Sequence, residues 1–353
     1  MKLKFWPTMI ITAYISGLLA LTKSEPTATL NLKKYAREYI NQSPVQPRAD
    51  ESVVQRVIFD STKPCRVMVC GDSHGEADQV ANFIEHLKKE NIIDAHNRIT
   101  DPSTYIIFLG DYINGDRHAD DVQLLAQLLE YATTNPQQFL LLRGNHETDL
   151  SASWIQQVNV HGDSQSMIKD LFNTLPTAIY LTTAQKVHGV HPTALFCHGG
   201  PSPVYRYGDF MKGNAQHEII AQQKNTEFLH QTFGDFGRGY SKLTPSDFAA
   251  DARKKLNDHL NNISDATYPL EFICRGHEHR SNENYQLNAL PADIKLFTHI
   301  FSSKNRRTTG PSYAEFSWSP TEQTWLVSHI VQSNKSWNPR VHNIPLSQWP
   351  LTK

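Results

Sequence analysis

Net charge is nearly absent from this sequence. Its 34 Lys and Arg face 35 Asp and Glu over 353 residues, leaving a formal charge of −1. Such a balance offers no basic footprint for phosphate backbones, and no nucleic-acid partner is expected. Internal repeats and low-complexity tracts are lacking too, which excludes solenoids and disordered arrays. Cysteine is scarce, with only Cys65, Cys70, Cys197 and Cys274. The last three each close an apolar run just before a Gly or His motif. That places them in a core as small hydrophobes, so free thiols are expected rather than a disulfide framework.

Histidine, by contrast, is plentiful at 17 residues, and its imidazole is the commonest neutral metal ligand. A 39% hydrophobic and 20% charged composition suffices for one large domain or two small ones. Residues 1–22 stand apart. Lys2 and Lys4 precede a mostly apolar run from Phe5 to Leu21 that is interrupted by Pro7, Thr8, Thr12, Tyr14 and Ser16. This reads as an export signal or an uncleaved membrane anchor, and the run is at the lower edge of the ~17–25 residues a span needs. A greasy terminal helix or strand of a cytoplasmic protein is the plain alternative. Free thiols sit awkwardly with export to an oxidising space. Residues 23–52, with Pro26, Pro44 and Pro47, read as a linker or N-terminal arm holding a short helix over Leu32–Ile40. A catalytic domain is expected over 53–335 and a C-terminal tail over 336–353.

The pattern inside 53–335 is strand, motif, helix, three times over. Arg66–Cys70 leads to Gly71-Asp72-Ser73-His74-Gly75, then to apolar positions Ala77, Val80, Ala81, Phe83, Ile84 and Leu87 at helical spacing. Tyr105–Leu109 leads to Gly110-Asp111-Tyr112, then to a helix through Val122, Leu124, Leu125, Leu128 and Leu129. Phe139–Leu142 leads to Arg143-Gly144-Asn145-His146-Glu147. Such units argue a mostly parallel sheet with helices on its faces. Further on, helices are expected over Met167–Phe172, Asn214–Phe233 and Phe248–His259. Ala194–Cys197 enters His198-Gly199-Gly200, and Glu271–Cys274 enters Arg275-Gly276-His277. Strands then follow over Lys295–Phe301, Tyr313–Trp318 and Thr324–Val331. The expected fold class is α/β (α+β), with two mixed sheets packed face to face and flanked by helices.

Each motif ends a strand, where open α/β sheets gather their ligands. Asp72, His74, Asp111, Asn145, His198 and His277 can therefore meet. Carboxylate and amide oxygens mixed with imidazoles suit Mn, Fe or Zn better than Ca or Mg alone. Six ligands are too many for one open catalytic metal and right for two, with Asp111 as a bridge. Two ions ~3.5–4 Å apart hold a bridging hydroxide and grip the attacking and leaving oxygens of a phosphoryl displacement. His146, beside a ligand, is placed to protonate a leaving alkoxide, and Asp116 is the candidate to orient it. Arg117 and Arg238 are candidates to clamp phosphate oxygens through their planar guanidinium forks, with Asn145 as a further phosphate contact.

These blocks, with Phe196-Cys-His-Gly-Gly-Pro-Ser-Pro203 and Phe301-Ser302-Ser303-Lys304-Asn305, resemble the phosphoprotein phosphatase branch of the calcineurin-like metallophosphoesterases from about Arg66 to Ser317. The resemblance implies a central β-sandwich between helical layers. It implies one metal on Asp72, His74 and Asp111, and a second on Asp111, Asn145, His198 and His277. It also implies His146 as general acid and Arg238 on the phosphate. Where the branch continues Val-Asp-Arg-Gly, this chain reads Ile113-Asn114-Gly115-Asp116-Arg117-His118. A two-residue insertion keeps Asp116 and Arg117 in their roles, whereas an ungapped register puts Asn114 and Gly115 there. Lys304 and Arg306 replace the usual Pro and Tyr. They favour more acidic substrates or are simply solvated.

The expected activity is a metal-dependent phosphoprotein phosphatase acting on phosphoserine or phosphothreonine, with phosphotyrosine open, through direct attack of a metal-bridging hydroxide. The expected cofactors are two divalent or trivalent ions, manganese first, with iron or zinc as alternatives. The expected partner is a phosphorylated protein, with membrane attachment through residues 1–22 as one reading. The rivals are a small-molecule phosphoesterase, such as a dinucleoside tetraphosphatase or cyclic-nucleotide phosphodiesterase, and a binding scaffold with a decayed site.

Overall fold

Three strands set the frame. β2 (Cys65–Cys70), β3 (Thr104–Phe108) and β4 (Phe139–Leu141) are buried along nearly their whole length and lie parallel in that order. Their side chains alternate between two cores. Val67, Val69, Tyr105, Ile107 and Leu140 point to one, and Met68, Cys70, Ile106, Phe108 and Leu141 to the other. A strand covered on both faces has no polar side to show, which is why these segments read as continuous apolar runs. Helix α2 (Ala77–Lys89) crosses from β2 to β3, and α3 (His118–Thr134) from β3 to β4. A single helical turn, α4 (Asn145–Thr148), follows β4.

The computed structural model describes residues 27–48, 51–113, 118–148, 163–200, 205–221, 265–277, 285–289, 295–299, 311–333, 336–345 and 348. Several expectations lie outside these residues: the segment 1–22, the loop with Asn114, Gly115, Asp116 and Arg117, the turn with Arg238, the helix over 248–259, and the segment with Lys304 and Arg306.

Two mixed sheets face each other. The first has six strands in the order β13-β12-β11-β2-β3-β4, where β11 is Ser312–Ser319, β12 Thr324–Ser333 and β13 Ser336–Pro345. The second has seven, built from β1 (Glu51–Phe59), β5 (Pro176–Thr183), β6 (Thr193–Cys197), β7 (His217–Ala221), β8 (Leu270–Arg275), β9 (Tyr285–Ala289) and β10 (Lys295–His299). Its order is β7-β1-β5-β6-β8-β10-β9. Between the sheets lies an aromatic core. Phe272 of β8 stacks on Phe316 of β11 with centroids 4.5 Å apart, and Trp325 meets Phe272 edge-on at 5.6 Å. These contacts lock one sheet onto the other, and large buried aromatic faces dominate such an interface energetically.

Helices cover the outer faces. α1 (Thr27–Gln42) buries Leu32 and Ala36 completely and packs with α2, α3 and α5 (Asp163–Thr174) over the first sheet. The arm expected as a linker thus contributes to the helical layer. On the second sheet, Tyr207 of α6 (Tyr207–Lys212) stacks on Tyr180 at 4.8 Å. Among the described residues no helix is long and apolar enough to cross a membrane. All four cysteines are buried free thiols.

Three local outcomes differ from the sequence reading. His217–Ala221, expected within a helix over Asn214–Phe233, is a strand that pairs antiparallel with β1. The neighbouring β-branched Ile219 and Ile220 fit an extended edge better than a helix. β5 and β1 are strands that the apolar pattern does not announce. β5 mixes threonines into its buried run, and Thr182 satisfies its hydroxyl on Thr193. β1 carries Arg56, whose guanidinium is buried and donates to the carbonyls of Phe210, Met211 and Gly213. Finally, residues 336–345 of the segment set apart as a tail extend the first sheet as an edge strand against β12.

Candidate metal centre at the strand ends

The carboxyl ends of β2, β3, β4, β6 and β8 deliver one motif each to a single place. The turns are tight because neighbouring backbones nearly touch. Gly110 has φ +103, and a Cβ there would lie 2.5 Å from the Gly144 nitrogen, so only glycine fits. A Cβ on Gly276 would collide with the Asp72 carboxylate. Three of the gathered residues, His74 (φ 45), Asp111 (φ 55) and His277 (φ 70), take the left-handed conformation. Non-glycine residues there cost of order 1–3 kcal/mol each, and such strain clusters at functional sites.

Asp111 is the centre of the cluster. Its Oδ2 lies 3.2 Å from His198 Nε2, 3.8 Å from His146 Nε2 and 4.0 Å from His74 Nε2. Its Oδ1 accepts the His146 backbone N–H at 3.0 Å. Asp72 lies 3.8 Å from His74 Nε2 and 3.7 Å from His198 Nδ1, and both its oxygens accept the His277 backbone N–H at 3.0 Å. Asn145 Oδ1 stands 2.9 Å from both His198 Nε2 and His277 Nδ1. His198 is fully buried, and its Nδ1–H donates to the Leu109 carbonyl at 3.0 Å. That bond fixes the ring and aims Nε2 at the cluster, as in imidazoles that carry a metal.

The electrostatics match this crowding. Burial would raise the Asp111 carboxyl, but the adjacent His198 ring outweighs it and brings the group down to about 2. Burial would lower His198, but Asp111 and Asp72 carry it up to about 9. Burial, with His198 beside it, pushes His277 down to about 4. Burial and Asp111 push Glu147 up to about 7. In this arrangement the His198 ring stands against two buried carboxylates, Asp111 and Asp72. A metal cation would balance their charge, and two overlapping donor sets exist for it. They are His74, Asp111 and His146, and Asp111, His198 and His277, each with donor atoms within 4.8 Å of one another. Hard oxygens and imidazoles in this mixture fit Mn, Fe or Zn.

The structure therefore brings together Asp72, His74, Asp111, Asn145, His146, His198 and His277. Asp116, Arg117 and Arg238 lie outside the described residues. Two participants were not among the candidate site residues read from the sequence. The Leu109 carbonyl was invisible there because backbone groups leave no residue signature. Glu147 was legible as a carboxylate directly after His146, but its partners are backbone amides, three in the loop after β3 and one at Gly144.

Clustered imidazoles and carboxylates at the strand ends of a two-sheet α/β sandwich form a candidate metal centre. The calcineurin-like phosphoesterase profile matches residues 65–281, and the chain belongs to that family. Among solved structures, a protein serine/threonine phosphatase from Saccharomyces cerevisiae shares the fold at TM-score 0.52 and 16% identity, over 96% of this chain and 98% of that one. A cold-active protein-tyrosine phosphatase from a psychrophilic Shewanella aligns at TM-score 0.46 and 12% identity, over 81% and 82%.

Proposed function

We propose that this protein is a metal-dependent phosphoprotein phosphatase that hydrolyses phosphoserine and phosphothreonine esters. The metal-dependent part of the proposal is supported by the position of Asp111. One carboxylate reaches the imidazoles of His198, His146 and His74, as a ligand shared by two metal ions must. In the proposal Asp72, His74 and Asp111 hold one ion, and Asp111, Asn145, His198 and His277 hold the other. When bound, such ions polarise the phosphoryl oxygens and acidify the attacking water. The other work falls to the chain. His146, whose side chain is 38% exposed while Asp111 is 2% exposed, faces the open side of the cluster, where a leaving alkoxide departs. Its ring is the proposed donor of the proton that oxygen takes up. Asp111 accepts the His146 backbone N–H and holds the ring's attachment point still. Arg117, Arg238 and Asn145 are assigned to the phosphate oxygens, and Asp116 to the orientation of His146.

Choice of a protein substrate rests on the joint occurrence of the five motifs with Phe196–Pro203 and Phe301–Asn305 in one chain. The test is hydrolysis of phosphoserine, phosphothreonine and phosphotyrosine peptides beside diadenosine tetraphosphate, with Mn2+ restored after chelation. Preference for the phosphoserine and phosphothreonine peptides supports the proposal. Preference for the dinucleotide would reassign the protein to small-molecule phosphoester hydrolysis.

A further inference from the structure

Glu147 is 1% exposed, deeper than the His146 side chain that precedes it. No substrate can touch it. Its two carboxylate oxygens are nevertheless fully engaged. Oε2 accepts the backbone N–H groups of Asp111 at 2.8 Å and Gly144 at 2.9 Å. Oε1 accepts those of Tyr112 at 2.8 Å and Ile113 at 3.4 Å. The donors come from two separate turns, one after β3 and one after β4. Asp111 returns the clasp, because its Oδ1 accepts the His146 N–H at 3.0 Å.

The exchange matters because Asp111 sits at φ 55, a conformation no sheet ladder supports. Buried carboxyl oxygens are costly unless hydrogen bonds satisfy them. These four hydrogen bonds to the Glu147 carboxylate come from the backbone that carries Asp111 or begins the Asn145–His146 turn. An amide could not substitute fully, since its NH2 would confront N–H donors. We propose that Glu147 is a positioning residue for the reaction: it fixes Asp111 in register with Asn145 and His146, so that one carboxylate serves both donor sets. The inference rests on the reading of this cluster as a metal-bearing catalytic centre.

The experiment compares Glu147→Gln and Glu147→Ala with the wild-type full chain. It reads Mn2+ affinity by calorimetry, the electron paramagnetic resonance spectrum of the loaded protein, melting temperature, and turnover of p-nitrophenyl phosphate. Supporting groups of this kind contribute about 10–100-fold to metal affinity. The expected result is a loss of that size in Glu147→Ala, a smaller loss in Glu147→Gln, and disappearance of the coupled two-manganese spectrum at temperatures where both variants are folded. A purely structural role would lower the melting temperature and leave affinity, spectrum and turnover per folded molecule at wild-type values, which would overturn the proposal. If both variants unfold, Glu147→Asp carries the test. It keeps charge and both acceptors but ends one methylene short, and wild-type metal affinity in it would equally overturn the proposal. Should the wild type bind Mn2+ and hydrolyse the ester while all variants match it, only the Glu147 inference falls. A wild type that does neither removes the site reading and this inference with it.

Discussion

His198 donates through Nδ1 to the carbonyl oxygen of Leu109 at 3.0 Å. The ring follows β6 of one sheet and the carbonyl follows β3 of the other, so the bond joins the two sheets at the candidate site. Two jobs fall on one imidazole: it ties the sheets, and it presents Nε2 to Asp111 and Asn145. His198→Ala should therefore weaken Mn2+ binding by about 100-fold or more, at or beyond the upper end of what supporting groups contribute. Calorimetric titration reads this directly. Wild-type affinity in the variant would remove His198 from the ligand set.

His146 separates metal binding from proton transfer. Its ring is the exposed one beside Asp111, and general acid catalysis contributes about 10²–10⁴-fold. His146→Asn should lower kcat by that factor while elemental analysis shows unchanged metal content; loss of an ion would instead make His146 a ligand, as its place beside His74 and Asp111 allows. Unchanged turnover would refute the proton-donor role.

Gly276 offers a steric test. Any Cβ there meets the Asp72 carboxylate, so Gly276→Ala must displace either Asp72 or the turn that carries His277. Overpacking of this kind costs about 1–3 kcal/mol. Chemical denaturation should show a loss in that range together with weakened Mn2+ binding. A variant with wild-type stability and affinity would mean that the turn yields to the added methyl without moving Asp72.

Away from the site, Glu271 on β8 makes a pH-dependent stability prediction. Burial raises its carboxyl to about 7, above its value of about 4.3 in an unfolded chain. The folded state therefore binds the extra proton, and stability falls as pH rises between those values. Above pH 7 the ionised group is a standing cost of up to a few kcal/mol, because each tenfold difference in proton affinity is worth about 1.4 kcal/mol, reduced by solvent screening since Glu271 is only half-buried. Glu271→Gln should thus stabilise the protein at pH 8 and change little at pH 4. Urea denaturation at the two pH values checks the sign, and equal effects at both would contradict a raised Glu271 carboxyl.

The frame of the fold was legible where burial on both faces left no choice of residue. Val67–Cys70, Tyr105–Phe108 and Phe139–Leu141 are apolar because two cores claim them. It was less legible where polar groups are satisfied inside the structure. Arg56 in β1 caps the carbonyls around Met211, and the β5 threonines bond locally; both interrupt the apolar signal. His217–Ala221 misled because two isoleucines stand among amide-rich neighbours. Ser336–Pro345 did so because Asn338, Pro339 and Arg340 break the alternation. At the site, Gly-bearing turns after apolar strands pointed to Asp72, His74, Asp111, Asn145, His198 and His277. The Glu147 clasp was hidden because its partners are backbone N–H groups that a sequence does not distinguish.

The central claim is that Asp111 serves two metal ions at once, and stoichiometry tests it most directly. Chelated protein is reloaded with Mn2+, and bound metal is counted per chain for the wild type and Asp111→Asn. The account predicts two ions in the wild type, fewer in the variant, and ester hydrolysis only when two are bound. A wild type that hydrolyses phosphate esters with one ion or none would contradict it.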